Sequence, residues 1–383
     1  MGIIDNFTKS FSKVFSSKKG RGNVSLGIDI GSSSIKIVQL KRDRGVIVLE
    51  TYGEIALGQY ANASQWEVTH LPPTTIATVV RDLAEQSKTT ATSGNYGIAA
   101  STSLVAVVKL PGTLSERDIA QAIPNEARKY IPVPLEEVSL DWWAIPSRVE
   151  RKTVFAEEVP LGAKSSSEKL EPHNVLIAAV HHDTIKNYSL IASEAKIPVE
   201  SIEIEMFSSI RSLLRNDLHT VAVVDFGASS TRIGIIDTGV LRALSNIPRG
   251  QSILTRNLAT TFNIDFDKAE KLKRSVGLSG SSDEYPQAKD NIKSSFQYVV
   301  DQLQSSLIEF EKSNNQSVRT IICVGGGAQL KGLTERLTEV LQTEVIIGKP
   351  FQRTKVPEFL SPILDRVGSS FSVAVGLALR SLQ

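Results

Sequence analysis

Cysteine is nearly absent from this chain. Its single thiol, Cys323, excludes an intrachain disulfide and any metal cluster built on cysteine. It sits in an apolar run that reads as a buried strand, so packing is its expected role. The five histidines (His70, His173, His181, His182 and His219) show no metal-type spacing, and the neighbours His181 and His182 would point apart on a strand. Charge of one sign is lacking too. The 43 Lys and Arg nearly cancel the 41 Asp and Glu, and the resulting +2 gives no field for nucleic acid. No apolar run approaches the ~20 residues of a membrane span. The first residues lack the continuous apolar core of a signal peptide, so the expectation is a cytoplasmic chain. At 383 residues it can bury a full core and is expected to hold about two domains.

What is present is a repeated turn. Gly27-Ile28-Asp29-Ile30-Gly31-Ser32-Ser33-Ser34-Ile35-Lys36 places a Gly/Ser turn between two apolar strands, with an aspartate at its entrance. Such a turn points backbone N–H groups and small hydroxyls inward, which suits a phosphate chain. Asp29 would hold a hydrated Mg2+, and Lys36 would supply a point charge. Alone, the turn reads equally well as an ordinary β-hairpin. The same grammar returns in the apolar strand Val221 to Asp225, the turn Gly227-Ala228-Ser229-Ser230-Thr231 and a second apolar strand to Asp237. Two copies of strand–(Asp-x-Gly-x-Ser)–strand point to two related half-domains facing each other. A third stretch, Thr320 to Val324, is a buried strand running into Gly325-Gly326-Gly327, where a ligand could lie against bare backbone.

In this order, these three segments resemble the actin-like ATPase superfamily, with an α/β, ribonuclease H-like, two-domain fold. The resemblance implies ATP and Mg2+ in a cleft between the halves. It makes Gly31, Ser32, Ser33, Ser34 and Lys36 the first phosphate loop and Gly227, Ala228, Ser229, Ser230 and Thr231 the second. Asp29 and Asp225 would hold the metal's water shell. Gly325, Gly326 and Gly327, followed by Gln329 and Leu330, would form the adenosine motif. Glu205 opens a helix at the position where the superfamily's acidic residue orients the attacking water, which would make Glu205, Asp29 and Asp225 the catalytic set; plain complementation of the helix dipole is the alternative. Glu270 and Lys273, three residues apart on one helix face, match the family's ribose and adenine contacts, with an exposed ion pair as the alternative. Hydrolysis, if any, is expected to be slow and switch-like.

Residues 103–173 interrupt the nucleotide fold. Ser115 to Asp118 reads as a capping box, and Asn125 to Val138 includes Glu126-Ala127-Arg128-Lys129-Tyr130-Ile131-Pro132-Val133-Pro134-Leu135-Glu136-Glu137-Val138. This run looks like the inserted subdomain of the PilM family of type IV pilus assembly proteins, the FtsA-like branch of the superfamily. Phe371 to Arg380 looks like that family's final helix. Pro124 departs from the pattern by removing a backbone donor inside a helix, where a kink is expected. The implied division is 1–22 as an amphipathic segment, 23–102 with 174–224 as a first half-domain, 103–173 as the insertion, 225–248 with 317–383 as a second half-domain and 249–316 as its subdomain. The resemblance further implies a scaffold at the inner face of the cytoplasmic membrane. It would bind the N-terminal cytoplasmic tail of PilN and communicate indirectly with the pilus motor ATPases. A filament-forming FtsA-type division protein and a small-molecule kinase of the same fold are the alternatives.

Two surfaces are candidates for contact. In residues 1–19, Ile3, Ile4, Phe7, Phe11, Val14 and Phe15 form an apolar stripe opposite Lys9 and Lys13, suited to a membrane surface or a partner groove; the alternative is packing on the body. In the insertion, Val105 to Leu110 offers a strand edge to an extended peptide, with Tyr130, Ile131, Val133 and Leu135 as pockets. The alternative is that these four residues pack the insertion onto the body.

Overall fold

A computed structural model describes residues 22–145, 172–214 and 219–382. The strands are β1 (Val24–Ile30), β2 (Ser34–Asp43), β3 (Val46–Ala56), β4 (Gly94–Ile98), β5 (Ser103–Leu110), β6 (Val138–Ile145), β7 (His173–His181), β8 (Val199–Ile204), β9 (Val221–Phe226), β10 (Thr231–Asp237), β11 (Val240–Ile247), β12 (Thr320–Val324) and β13 (Glu344–Ile347). The helices are α1 (Pro73–Gln86), α2 (Glu116–Ala127), α3 (His182–Glu194), α4 (Glu205–Leu213), α5 (Gln251–Phe262), α6 (Phe266–Val276), α7 (Ala288–Asn314), α8 (Leu333–Leu341), α9 (Ser361–Val367) and α10 (Ser372–Arg380).

Two five-stranded sheets share one plan. The first has the order β3-β2-β1-β4-β8 and the second β11-β10-β9-β12-β13. In each, an antiparallel three-strand meander is extended by two parallel strands beside its first strand. The apolar strands are buried on both faces, and period-two alternation decides which helix each residue meets. On β2, Ile35 and Ile37 join the core with Val79, Val80 and Leu83 of α1, whereas Val38 and Leu40 join the core with Ala374, Val375 and Leu379 of α10. On the second sheet, Ala222, Val224, Ile233 and Ile235 pack with Leu254 and Leu258 of α5, Leu272 of α6 and Ile292, Phe296 and Leu303 of α7. Val221, Val223 and Ile236 share the first core with Met206, Phe207 and Ile210 of α4. Helix α4 therefore belongs to the hydrophobic seam between the two sheets.

The insertion is a three-stranded antiparallel sheet of order β5-β7-β6, with α2 on one face through Ile119, Ile123 and Ala127. The capping box forms: the Ser115 side chain accepts from the Asp118 N–H, and the Asp118 carboxylate accepts from the Ser115 N–H. The helix continues past Pro124 to Ala127.

The structure corrects three segment boundaries. β7, expected in the first half-domain, is the central strand of the insertion, because its run Val175 to Val180 is buried on both faces and pairs with β5 and β6. Val221–Val224, also expected in the first half-domain, lies in the second sheet. Helix α10, expected in the second half-domain, packs on the first sheet. Glu358–Arg380 is long and apolar enough by composition to cross a membrane, contrary to the expectation of no such run. It is broken into α9 and α10 by a 3-10 turn, and 67% of its apolar window is buried against protein. The amphipathic stripe of residues 1–19 lies outside the described residues.

Bare backbone sets how closely α10 sits. A Cβ on Gly376 would run into the backbone of Ser208 in α4, and one on Gly27 in β1 would run into the backbone of Ala374 and Ala378. Gly376→Leu is expected to lower the unfolding free energy by about 3 kcal/mol through overpacking, measured by chemical denaturation; unchanged stability would contradict this close approach.

Candidate functional site

The two aspartate-led turns have matching internal hydrogen bonds. In the first, Gly31 N–H donates to the Ser34 carbonyl at 3.0 Å; in the second, Gly227 N–H donates to the Ser230 carbonyl at 3.0 Å. A Cβ on Gly31 would stand 2.8 Å from the Ser34 oxygen, and one on Gly227 2.9 Å from the Ser230 oxygen, so both tight turns exclude larger residues. Each turn is pinned from behind. Thr69 and Leu57 N–H groups donate to the carbonyls of Ser32 and Ser33, while Gln251 and Ser252 at the start of α5 donate to those of Gly227 and Ala228. The turns meet where Ser32 Oγ donates to Ser229 Oγ at 3.1 Å. Ser34 and Thr231 serve the frame instead: Ser34 Oγ donates to Glu54 and accepts from Lys36, and Thr231 Oγ1 donates to the Arg249 carbonyl.

The charged residues also repeat. Asp29 faces Lys36 across β1–β2, and Asp225 faces Arg232 across β9–β10, at the same place in each hairpin. The side chains then diverge. Lys36 turns to Glu54 at 3.1 Å, so the expected phosphate charge is already paired. Arg232 pairs with Asp225 at 3.1 Å and with Glu205 at 2.7 Å. Glu205 also accepts from the Ala100 N–H at 2.7 Å. Burial pushes the Asp29 carboxyl up to about 6, against the pull of Lys36. Burial pushes Glu205 up to about 7, against Arg232 and with the nearby carboxylates of Asp225 and Asp29 adding to the rise. Arg232 lies inside the second motif, yet sequence reasoning gave it no role. The available signal was spacing: it follows Asp225 by seven residues, as Lys36 follows Asp29.

Across the turn after β12, Gly325 has φ +82°, and a Cβ there would strike the Asp225 carboxylate. Gly326 faces open space, and Gly327 lies against Gln251. Gln329 closes the short 3-10 turn that begins at Gly326. The Leu330 side chain packs in the second core, so it could offer a ligand only backbone. Glu270 and Lys273 form a buried pair at 2.6 Å rather than an exposed one; Glu270 also accepts from Thr255 at 2.6 Å and Arg274 at 2.8 Å. Burial opposes the Glu270 charge, but Lys273 and these hydrogen bonds hold its carboxyl below the usual range.

The arrangement fits a nucleotide. The buried Ser230 Oγ, Ser252 Oγ and Gln251 Oε1 have no hydrogen-bond partner, and Gly326 leaves backbone open beside them. Among the described residues no group of three His, Cys, Asp or Glu side chains could hold a metal by itself. A cation here would be carried by phosphates and water, with Asp29 and Asp225 behind.

Two sheets of one plan, each presenting an aspartate-led turn to the other, define an actin-like, two-domain α/β protein. The chain belongs to the PilM family of type IV pilus assembly proteins, whose family model, described as type IV pilus assembly protein PilM, matches residues 27–382. In overall fold it is similar to the PilM protein of a PilM–PilN type IV pilus biogenesis complex, with a TM-score of 0.77 at 22% identity, covering 95% of this chain and 100% of that one. It is also similar to the ethanolamine utilization protein EutJ of Carboxydothermus hydrogenoformans, with a TM-score of 0.50 at 15% identity, covering 97% and 94%. In sequence it is 24% identical over 316 residues to the cell division protein FtsA of Neisseria meningitidis, covering 76% of this chain and 72% of that protein. Identity to FtsA of Escherichia coli K12 is 25% over 246 residues, covering 57% and 56%.

The position of Asp29 gives a pH signature. Its folded pKa lies above its unfolded value, so its contribution to stability is complete below about pH 4 and is lost as pH rises through about 6. Asp29→Asn, which mimics the protonated form, should be about 3 kcal/mol more stable than wild type at pH 7.5, the gap closing by pH 4. Denaturant titrations across that range check it, and a variant no more stable than wild type at pH 7.5 contradicts it.

Proposed function

We propose that this chain is the actin-like, ATP-binding scaffold of a type IV pilus assembly machine, acting in the cytoplasm at the inner face of the membrane. The observation that carries the nucleotide half is the matched pair of turns, with equal hydrogen bonds, equal glycine crowding and an aspartate before each. In this reading, Gly31 to Ser33 and Gly227 to Ser230 hold the phosphates from opposite sides. Asp29 and Asp225 back the water shell of Mg2+, which neutralises phosphate charge. Gly325 to Gly327 and the Glu270–Lys273 pair border the nucleoside. Glu205 is already held by Ala100 and Arg232, which favours a nucleotide that acts as a switch over rapid turnover.

The partner half rests on family membership, on the similar PilM–PilN complex and on the insertion. β5 is an edge strand of the insertion's sheet, so one of its sides can pair with an added strand. An extended N-terminal tail of PilN is the proposed occupant, with the insertion as the recognition module and the motor ATPases reached indirectly. The pocket residues are fewer than expected. Ile131, Val133 and Leu135 pack in the insertion's own core, and Tyr130 alone of the four is an exposed large apolar residue.

Hydrogen exchange reads both halves in one experiment. Mg-ATP should slow exchange in residues 31–34 and 227–231, and a peptide copied from the cognate PilN tail should slow it along β5. Protection by ATP elsewhere, or none, contradicts the nucleotide reading. Peptide protection away from the insertion contradicts the partner reading.

A further inference from the structure

The segment that joins β3 to α1 leaves the first sheet and reaches helices of the second half. Two of its residues are fastened to the first turn: Leu57 N–H donates to the Ser33 carbonyl at 2.9 Å, and Thr69 N–H donates to the Ser32 carbonyl at 2.9 Å. Between these anchors the loop folds on itself. Tyr60 N–H donates to the Leu57 carbonyl, and the Ala61 and Ala63 N–H groups both donate to the Gly58 carbonyl. A Cβ on Gly58 would run into the Ser64 carbonyl, so the coil is tight. Compact loops with close ends are frequently functional. This one touches the second half at two adjacent residues. The Glu67 carboxylate lies 3.5 Å from the Arg256 guanidinium on α5. The Arg274 guanidinium on α6 lies over the Trp66 ring, 5.4 Å from its centroid. Arg274 also donates to Glu270 at 2.8 Å, and Glu270 pairs with Lys273. The loop therefore runs from a turn proposed to hold the phosphates to the pair proposed to border the nucleoside. Its anchor Thr69 also carries a buried hydroxyl with no hydrogen-bond partner, a group that a phosphate or its water shell would satisfy.

We propose that the 57–69 loop is a latch across the cleft, and that its Trp66–Arg274 and Glu67–Arg256 contacts set how fast a nucleotide enters and leaves. This rests on the nucleotide reading of the cleft. A ligand held between the two turns departs when the halves part, and parting them breaks both contacts. Opening steps of this kind commonly limit ligand release. Both arginines are more than half exposed, so each contact is weak alone. A half-exposed cation–π contact or a surface ion pair slows an opening step only a few-fold, and the two together slow it about tenfold. Entry requires the same parting as departure. A latch therefore changes both rates in the same direction and leaves the dissociation constant nearly alone. A residue that gripped the nucleotide itself would instead change release and affinity together. Trp66 and Glu67 are in this sense positioning residues: they hold the halves closed over the ligand.

The test is stopped-flow binding and release of methylanthraniloyl-ATP with Mg2+, in the full chain. The variants are Trp66→Ala/Glu67→Gln, Glu67→Arg and the charge swap Glu67→Arg/Arg256→Glu. The first should release and bind the nucleotide about tenfold faster than wild type, with the dissociation constant changed less than about threefold. Glu67→Arg should quicken both rates a few-fold, and the swap should return them toward wild type. These last two alter only a surface pair, so they decide the matter even if loss of the Trp66 ring prevents folding. Unchanged release in the folded variants overturns the latch and leaves the nucleotide reading standing. So does faster release with unchanged association, which would make these residues ligand contacts, and so does a swap as fast as Glu67→Arg alone. Failure of the wild type to bind the nucleotide overturns the nucleotide reading and the latch with it.

Discussion

The close approach of the two aspartate-led turns is the constraint on which the rest of this structure depends. A hydrogen bond of 3.1 Å between Ser32 and Ser229 joins residues 197 positions apart, so two separate sheets must be held in register to within a side chain's length. The apolar seam at α4 supplies part of that hold. A buried ionic knot supplies more: Glu203 on β8 pairs with Arg211 on α4 at 2.6 Å and with Arg380 on α10 at 3.0 Å. Burial alone would drive the Glu203 proton on, but the two arginines and the Ser208 hydroxyl hold its pKa down to about 2. Removing one arm of such a knot strands a buried charge, which is far costlier than losing a surface ion pair. Arg211 also donates to the Gly376 carbonyl, and Arg353 donates to the Arg211 carbonyl at 2.6 Å. The last helix, the helix between the sheets and the first sheet therefore form one connected unit around the cleft.

The internal repeat makes departures from symmetry informative. Each hairpin places a base opposite its aspartate, and each turn has the same backbone hydrogen bond. What differs is the neighbour that claims the base. β3 brings Glu54 to Lys36. The junction of β8 and α4 brings Glu205 to Arg232, crossing from one half to the other. One repeat keeps its cation for its own frame, and the other spends it bridging the cleft, where a ligand's charge would be felt.

Much of this was legible in the sequence because the signals were local. The apolar strands, the glycine turns and the Ser115–Asp118 capping box each depend on residues a few positions apart, and the doubled motif carries the fold class. What was not legible depends on partners far along the chain. The run Val175 to Val180 reads as a buried strand from its composition, but only pairing with β5 and β6 decides which sheet owns it. The alternative reading of Glu270 and Lys273 as an exposed ion pair arose because helix spacing says nothing about the Thr255 and Gln251 groups that enclose them. Ile131, Val133 and Leu135 read as pocket residues because α2 and its sheet, which absorb them, are assembled from three separate segments.

The central claim is that a nucleotide's phosphates lie between the two turns, where they must part Ser32 from Ser229. The most direct measurement is disulfide formation in the Ser32→Cys/Ser229→Cys variant, whose one native thiol, Cys323, is buried. Under mild oxidation the pair should close readily without nucleotide and be protected by saturating Mg-ATP. Closure at the same rate with ATP demonstrably bound would contradict the claim and put the nucleotide somewhere else in the molecule.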